Sequence, residues 1–249
     1  MTYPSCMRVC HVAHGDLWAG AEVHLATLLE ALLDVPDLEL SAVLLHEGRL
    51  AEVLRGQRIR TVVFDERRSS AWKILGDLVE YFKRERPDLV HTHKYKDNML
   101  AAMAGWWTGV PGLVRIVHGM PEPFHGMRRL RMAAYEYVDG LVNRYAVDSI
   151  IAVSANIEQR LVERFGSSKV VRIHNGIDLR QVGSSLPLET VRRQLGLMSD
   201  DLVVGSVGRL TPVKGQSTLI EAVGLLKRGG WNVKGLLVGE GPLRNELQE

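Results

Sequence analysis

The sequence predicts an α/β fold built on a doubly wound parallel sheet. Short apolar segments rich in valine and leucine alternate along the chain with longer amphipathic segments of helical periodicity. Within the short segments apolar residues follow one another without polar alternation, which is typical of strands covered by helices on both faces. Strands and helices in strict alternation favour parallel pairing, because each helix carries the chain back to the start of the next strand.

The predicted elements follow one another without interruption from Met7 to Ile173. The predicted strands are Met7–Ala13, Leu38–Leu45, Ile59–Phe64, Asp88–His91, Leu113–His118, Ser149–Val153 and Lys169–Ile173. The predicted helices are Ala21–Leu33, Leu50–Arg55, Ala71–Arg86, Asn98–Thr108, Met127–Ala146 and Ala155–Phe165. Pro87 ends the third of these helices, because proline cannot donate a helical hydrogen bond.

A break in this pattern predicts a second domain. Asn175-Gly176 is a turn dipeptide, and Gln181–Leu186 is short and polar. The alternation then restarts with the helix Leu188–Leu195, the strand Leu202–Val207, the helix Gln216–Arg228, the strand Val233–Val238 and a helix that begins near Pro242. We therefore expect a Rossmann-like N-terminal domain over residues 1–180, a linker over 181–200 and the start of a second Rossmann-like domain over 201–249.

Composition and charge exclude several classes of protein. Hydrophobic residues make up 46% and charged residues 24%, which is ordinary for a globular chain and excludes a disordered tail. The net charge of +2 gives no basic field for nucleic acid. No apolar run approaches the roughly 18 residues that span a bilayer, and Met1–Arg8 has no signal-peptide core, which favours a cytoplasmic location. Cys6 and Cys10 form neither a disulfide framework nor a four-ligand zinc site.

Seven short motifs make the chain resemble a known family. They are Ala19-Gly20-Ala21-Glu22, His91-Thr92-His93, Val117-His118-Gly119, Ile150–Ser154, Asn175-Gly176-Ile177-Asp178, Gly208-Arg209-Leu210 with Lys214-Gly215, and Gly239-Glu240-Gly241-Pro242. In this order, at the ends of predicted strands and helices, they resemble family 4 glycosyltransferases of the two-domain glycosyltransferase-B fold. The resemblance implies transfer of a sugar, with retention, from a nucleotide-sugar donor to a glycan or lipid-linked acceptor of the cell envelope. It also implies that no metal ion or other cofactor is needed.

Two cations and one glycine are the predicted donor-binding residues. Negative charge grows on the diphosphate as it leaves the sugar, so catalysis needs fixed positive charge there. Arg209 follows a predicted strand and Lys214 precedes a helix N-terminus, and the resemblance implies that both bind the diphosphate. Gly20 lets a phosphate or sugar approach the backbone, although Ala19 replaces a glycine that is usual in the family. The alternatives are two solvated loop cations and a plain helix-entry glycine.

His118 is the predicted catalytic residue. It ends a strand, where ligands of open α/β sheets gather, and the resemblance implies that it hydrogen-bonds the donor sugar in the transition state. His91 and His93 share one face of a strand because side chains alternate, and the resemblance places them in the acceptor cleft. A zinc site formed with His118 and His125 is a less favoured alternative, because no cysteine or Glu-x-x-His pattern accompanies these residues.

Basic and apolar residues on several predicted helices are compatible with association with an anionic membrane surface. The basic residues are Lys73, Lys83, Arg84, Arg86, Arg128, Arg129 and Arg131, and the apolar ones are Trp106, Trp107, Met127, Met132 and Tyr135. A helix with such faces can lie in the headgroup region of the inner membrane face. The same pattern also occurs on helices that pack their apolar face on a sheet.

Two other functions compete with sugar transfer. A dinucleotide-dependent oxidoreductase needs G-x-G-x-x-G after the first strand, and His14–Gly20 does not match it. A non-catalytic N-terminal subunit, or a truncated product, would only bind an acceptor or a partner chain. The family's donor-binding glutamate pair would lie beyond Glu249. We therefore expect these 249 residues alone to transfer no sugar and to be cut first between Gln181 and Asp201, with apolar positions Leu219, Val223, Leu225, Leu236 and Val238 uncovered.

Overall fold

The computed structural model describes residues 6–119, 127–179, 183 and 186–248, without the side chains of residues 127–132. The chain divides into two compact units, Met1–Asp178 and Leu179–Glu249. Much of the predicted linker segment Gln181–Leu186 lies outside the described residues, so the three-part division stays a prediction.

The first unit contains seven strands and six helices among its described residues. The strands are β1 (Met7–Ala13), β2 (Leu38–Leu44), β3 (Arg60–Val63), β4 (Leu89–Thr92), β5 (Gly112–Val117), β6 (Ser149–Ala152) and β7 (Val170–Arg172). The helices are α1 (Gly20–Leu32), α2 (Arg49–Gly56), α3 (Ala71–Glu85), α4 (Tyr95–Thr108), α5 (Met127–Tyr145) and α6 (Ala155–Phe165).

These strands form one parallel sheet in the order β3-β2-β1-β4-β5-β6-β7. The chain builds outward from β1 to β3, then returns to the other side of β1 to add β4. The strand order therefore reverses between β1 and β4, the place where doubly wound sheets bind their ligands. The predicted fold class is confirmed.

Helices cover both faces of the sheet. Alternate residues of β1 enter two different cores, since Cys10 and Val12 pack with α3 and α4, whereas Val9 and Ala13 pack with α1 and α2. Burial on both faces explains why β1 reads as a continuous apolar run. Gly105 lets α4 approach β5, because a Cβ there would lie 2.5 Å from a methyl carbon of Leu113.

A buried polar network joins α5 to β5 and α4. Arg115 donates to Asp139 over 2.5 Å, and both side chains are buried. Asn98 donates to Asp139 over 2.9 Å and accepts from the Thr92 hydroxyl over 2.8 Å. Asn143 donates to the same Asp139 carboxylate. Asp139 therefore neutralises a buried guanidinium and satisfies two buried amides at once.

The largest boundary differences concern two predicted helices. α4 begins at Tyr95 rather than Asn98, because the carboxylate of Asp97 accepts the backbone N–H groups of His93 and Lys94. The α-helix predicted from Pro242 is wrong within residues 242–248. A turn and a short 3-10 helix, Glu246–Gln248, follow there, and the Leu243 N–H donates to the Leu210 carbonyl instead.

The second unit contains two parallel strands and two α-helices among its described residues. These are α7 (Leu188–Gln194), β8 (Leu202–Val207), α8 (Gln216–Arg228) and β9 (Val233–Val238). Leu225 and Val238 are exposed as predicted, being 63% and 47% accessible. Leu219, Val223 and Leu236 are half-buried instead, because α8 packs on β9.

We expect Asp139→Ala to destabilise the first unit by about 3–5 kcal/mol, because it leaves the Arg115 charge buried without a partner. Urea denaturation of the 249-residue chain measures this change. Arg49→Ala breaks an exposed pair with Glu52 and is the matched control, with an expected change under about 1 kcal/mol. Equal midpoints for the two variants would contradict a structural role for the buried pair.

Candidate functional site

Five neighbouring strands of the first unit are followed by a histidine or a glutamate. Glu66 follows β3, His46 follows β2, His14 follows β1, His93 follows β4 and His118 follows β5. Since the strands are parallel, these residues meet at the carboxyl ends of the strands. The structure thus collects titratable groups at one end of the sheet, on both sides of the point where the strand order reverses.

The imidazoles nearest that reversal form a buried cluster. His11 on β1 and His91 on β4 are register partners, and their ring centroids lie 4.9 Å apart. The His93 ring stacks on that of His91, with centroids 4.8 Å apart. The His118 ring also stacks with that of His93, with centroids 5.6 Å apart, and His24 of α1 contacts the His118 ring edge-on. The structure therefore brings together His91, His93 and His118, all of which the sequence predicted as site residues.

Burial keeps these imidazoles neutral at pH 7. It lowers the pKa of His91 to about 4 and that of His118 to about 4, with smaller contributions from neighbouring histidines. Burial also holds the pKa of His11 and that of His93 well below the usual value. Neutral rings can pack face to face without charge repulsion, so the cluster is compatible with the low polarity around it.

Hydrogen bonds link three of these rings in a row. The Nδ1 of His11 and the Nε2 of His93 lie 3.3 Å apart, and the Nδ1 of His93 and the Nε2 of His118 are also 3.3 Å apart. A neutral imidazole carries one proton, so all donors must run in the same direction along the row. If they run from His11 to His118, the proton of His118 lies on Nδ1, a buried atom that has no partner among the described residues.

A charged group lies beside the neutral rings. The Lys94 ammonium contacts the buried Glu22 carboxylate at 2.7 Å and the Asp16 carboxylate at 3.1 Å. Burial disfavours the charge on Lys94, but the two carboxylates outweigh it and raise its pKa. Glu22 belongs to α1 and Asp16 to the preceding loop, so Lys94 ties the start of α1 to the end of β4.

Asp97 fixes the backbone of this region. It is buried in the first turn of α4 and accepts the His93 N–H over 3.1 Å and the Lys94 N–H over 2.9 Å. These two bonds satisfy groups that a helix N-terminus leaves unpaired. The same carboxylate thereby sets the position of His93 relative to His91 and His118.

A second cluster lies on the other side of β1. The Nε2 atoms of His14 and His46 approach the same oxygen of Glu66, at 3.0 and 2.6 Å. The Lys96 ammonium pairs with the other oxygen. Burial alone would raise the pKa of Glu66, but the hydrogen bonds of Lys96 and His46 lower it, so Glu66 is ionised. This cluster holds the loops after β1, β2 and β3 together.

Gly20 is the first residue of α1 and lies at the same end of the sheet. A Cβ at Gly20 would meet no protein atom within 4 Å, so the space above its backbone is open. Gly15, at φ +76, provides the left-handed turn by which the chain leaves β1. The open approach that the sequence predicted at Gly20 is present, and its use by a ligand stays a prediction.

Arg209 and Lys214 lie in the second unit, in the loop between β8 and α8, and both are exposed. Gln216 is buried and donates to the Arg209 carbonyl over 2.9 Å. The loop after β9 supports this segment through the Leu210 N–H, which donates to the Glu240 carbonyl over 3.0 Å. A Cβ at Gly239 or Gly241 would overlap the backbone of Gly208 or Leu210, which explains the glycines of the Gly239–Pro242 motif.

Sequence reasoning missed His11, His14, Glu66 and Lys94, and it named Glu22 only as part of a motif, with no role. The signal was present for His14 and Glu66, because both follow a predicted strand just as His118 does. His11 lies inside an apolar run, and only the pairing of β1 with β4 places it against His91. Lys94 and Glu22 come together because β4 pairs with β1, and no local sequence pattern predicts that pairing.

Two family models match the chain. Residues 18–181 match Glycosyltransferase Family 4, and residues 188–249 match Glycosyl transferases group 1. Among the described helices none is long and apolar enough to cross a bilayer.

The relatives named as biosynthetic enzymes match over part of their length. A UDP-Gal:α-D-GlcNAc-diphosphoundecaprenol α-1,3-galactosyltransferase of Escherichia coli is 27% identical over 180 residues, which cover 71% of this chain and 46% of the relative. A capsular polysaccharide biosynthesis glycosyltransferase, CapM of Staphylococcus aureus, is 24% identical over 188 residues, which cover 71% of this chain and 47% of CapM. The chain thus spans about half the length of these relatives.

A solved structure has the same fold. HepE of Anabaena, crystallised in complex with UDP and glucose, superposes with a TM-score of 0.79 at 22% identity, covering 97% of this chain and 65% of HepE. At that identity the similarity establishes the fold. The family model matches residues 18–181, more than half of the chain, and so the chain belongs to Glycosyltransferase Family 4.

Proposed function

We propose that this chain contributes to a retaining glycosyltransferase that moves a sugar from a nucleotide-sugar donor to a glycan or lipid-linked acceptor in cell-envelope or polysaccharide biosynthesis. The observation that carries the proposal is the position of His118. It follows β5, the strand next to the β1–β4 pair at which the strand order reverses, and it is hydrogen-bonded to His93 and through His93 to His11. The similarity to enzymes named for envelope and capsule synthesis supports the acceptor class.

Arg209 and Lys214 are proposed to bind the donor diphosphate. Both are exposed cations, and Lys214 lies just before α8, whose first N–H groups favour an anion. Cleavage of the bond between sugar and phosphate places negative charge on the leaving diphosphate. Preorganised cations stabilise that charge most in the transition state, so no metal ion is required in this proposal.

His118 is proposed to donate a hydrogen bond from Nδ1 to a hydroxyl of the donor sugar. Because Nδ1 is buried in this structure, this bond requires that the side chains around it move aside when the donor binds. This role requires donors that run from His11 through His93 to His118, and the geometry of the row permits that direction. Neutral His118 stabilises developing charge through a dipole and does not act as the base. In a retaining reaction the leaving phosphate accepts the acceptor's proton, while the acceptor attacks from the side that the leaving group occupied.

His91 and His93 are proposed to shape the acceptor cleft, and Gly20 to let the donor approach the start of α1. His91 and His93 are 7% and 5% exposed, so they act mainly by supporting His118 rather than by broad contact with an acceptor. The open space at Gly20 suits a phosphate or sugar. The alternative is a non-catalytic subunit. It predicts that the chain binds an acceptor and that His118→Ala leaves the rate of sugar transfer unchanged.

We also propose that the protein binds the surface of an anionic membrane, where it would meet a lipid-linked acceptor. The basic side chains of Arg128, Arg129 and Arg131 fall outside the described side chains. Trp106 and Trp107, both strongly exposed, end α4 and therefore lie at the amino ends of the strands. Leu17 and Trp18 are 47% and 46% exposed in the loop before Gly20, on the side of the proposed site. That loop is the better contact for an acceptor held in a bilayer.

The cation prediction concerns UDP binding to the 249-residue chain. We expect Arg209→Ala and Lys214→Ala each to weaken UDP binding by about tenfold, since a charged hydrogen bond contributes about 1.5–3 kcal/mol. Calorimetric titration at low and high salt measures the effect, and the salt dependence should decrease in both variants. Lys227→Ala, in the last turn of α8, is the matched control. Identical affinities of all three variants for UDP would contradict the proposal that Arg209 and Lys214 bind the diphosphate.

The histidine prediction concerns turnover. We expect His118→Ala to lower kcat by about 100- to 1000-fold with little change in KM for the donor, because the lost hydrogen bond acts in the transition state. Sugar transfer is measured with the 249-residue chain. If that chain is inactive, it is measured with a chimera in which the chain is fused to the C-terminal part of the Escherichia coli relative. His174→Ala, at an exposed histidine, is the control.

The same assay yields a pH profile for His118. With its pKa lowered to about 4, His118 stays neutral from pH 8 to pH 6, so its contribution to kcat should stay constant there. Acidification towards pH 4 protonates the ring, forces the bond to His93 to reverse, and should lower kcat. A loss of activity centred near the ordinary histidine pKa would contradict the neutral role.

The membrane prediction uses vesicles of phosphatidylcholine with and without phosphatidylglycerol. We expect the double change Leu17→Ser with Trp18→Ser to reduce cosedimentation with anionic vesicles several-fold, because the loop loses its apolar contact. The double change Trp106→Ser with Trp107→Ser removes more exposed aromatic surface at the opposite end of the strands and should leave binding unchanged. The reverse ranking, or no binding by the parent chain, would refute this surface.

A further inference from the structure

Three buried imidazoles in the first unit have the composition of a metal site. His11, His91 and His93 are 1%, 7% and 5% exposed, and one ring nitrogen from each lies within 4.8 Å of those of the other two. We propose that His11, His91 and His93 bind one dication of the zinc type. The site is separate from the transfer step proposed above, which needs no metal, and it replaces the zinc alternative that the sequence suggested with His118 and His125.

The spacing of one pair already suits a shared ion. Nδ1 of His11 and Nε2 of His93 are 3.3 Å apart. Two nitrogens that bind one zinc ion at about 2.0–2.1 Å in tetrahedral geometry lie about 3.3–3.4 Å from each other. An ion bound by both nitrogens replaces the hydrogen bond between these rings and lies to one side of the line that joins the nitrogens. The His11 and His93 rings therefore rotate on binding, and the His91 ring, whose nitrogen lies within 4.8 Å of the other two, turns towards the ion.

One ring nitrogen available to the proposed ion lacks a partner. The Nε2 of His91 is buried and has no hydrogen-bond partner among the described residues. Buried polar atoms of folded proteins are almost always paired with protein, water or an ion. The vacant nitrogen of His91 therefore suits a third ligand to an ion held by His11 and His93. Neutral imidazole nitrogens are good ligands for zinc, cobalt, nickel and copper ions.

The second histidine cluster is a poorer site for the same ion. Its carboxylate, Glu66, already accepts from the Nε2 atoms of His14 and His46. The Lys96 ammonium also pairs with Glu66, and its positive charge opposes a dication at that position. No cation of this kind contacts His11, His91 or His93 among the described residues. Charge therefore favours the buried three-histidine site.

Metal ligation would fix the tautomer of the row. When Nε2 of His93 binds the ion, the remaining proton of His93 lies on Nδ1, which faces Nε2 of His118 at 3.3 Å. A ligating histidine that donates through its second nitrogen is the usual arrangement around protein-bound zinc. His118 then accepts at Nε2 and carries its own proton on Nδ1. The ion and the proposed sugar contact therefore favour the same direction of the row, but each can be tested without the other.

The test measures metal binding to the tag-free 249-residue chain. We expect one equivalent of Zn²⁺ by elemental analysis after dialysis, and the visible absorption of tetrahedral Co²⁺ on titration with that ion. His11→Gln and His91→Gln should each weaken binding by at least about 100-fold, since each removes a direct ligand. His46→Gln, in the second cluster, and His174→Gln, at an exposed histidine, are the matched controls and should bind as the parent does.

X-ray absorption of the zinc-loaded parent chain keeps the proposal testable if a variant fails to fold. Three imidazole ligands and one oxygen support the site, whereas two imidazoles and a carboxylate place the ion at His14, His46 and Glu66 and overturn it. Absence of stoichiometric binding overturns it as well. Binding that survives both His11→Gln and His91→Gln does the same. None of these readouts depends on sugar transfer, so the proposed function can fail while this site stands.

Discussion

The parallel pairing of β1 with β4 is the constraint on which the candidate site depends. This pairing brings the first strand next to the fourth and sets His11 opposite His91 in register. It also places the end of β4 beside the loop that leads into α1, so Lys94 reaches Glu22 and Asp16. A sheet that grew in one direction only would leave these residues on distant strands. The reversal of strand order thus creates both the neutral and the charged parts of the site.

The two parts differ because their surroundings differ. Burial, with smaller contributions from neighbouring histidines, holds the pKa of His11 and that of His93 well below the usual value, so both rings are uncharged. Lys94, only a residue beyond His93, keeps its charge because two carboxylates face it. Neutral and ionised groups can therefore lie side by side at pH 7. This contrast gives the carboxyl end of the sheet a hydrogen-bonding surface at His118 and an ionic clamp at Lys94.

The sequence was sufficient for the fold class, because burial of both sheet faces leaves a continuous apolar run in each strand and a helical period between strands. The sequence also selected His118, His91 and His93 as site residues, since each lies at or just beyond the end of a predicted strand, but only the structure shows that their rings pack together. The buried pair Arg115 and Asp139 could not be found, because a charged residue in a strand looks exposed until its partner on a later helix is known. The helix expected from Pro242 does not form within residues 242–248, where the Arg244 N–H donates to the Gly241 carbonyl in a turn and a 3-10 helix follows.

The glycines of the second unit have a mechanical consequence. Gly239 and Gly241 press their backbone against Gly208 and Leu210, and hydrogen bonds join the two loops in both directions. The loop after β8 and the loop after β9 therefore move as one piece rather than as two separate hinges. A displacement of the Arg209 backbone by a bound anion would therefore also displace Glu240 and its neighbours. Stiffness at this place comes from main-chain contact, so it survives most changes of the surrounding side chains.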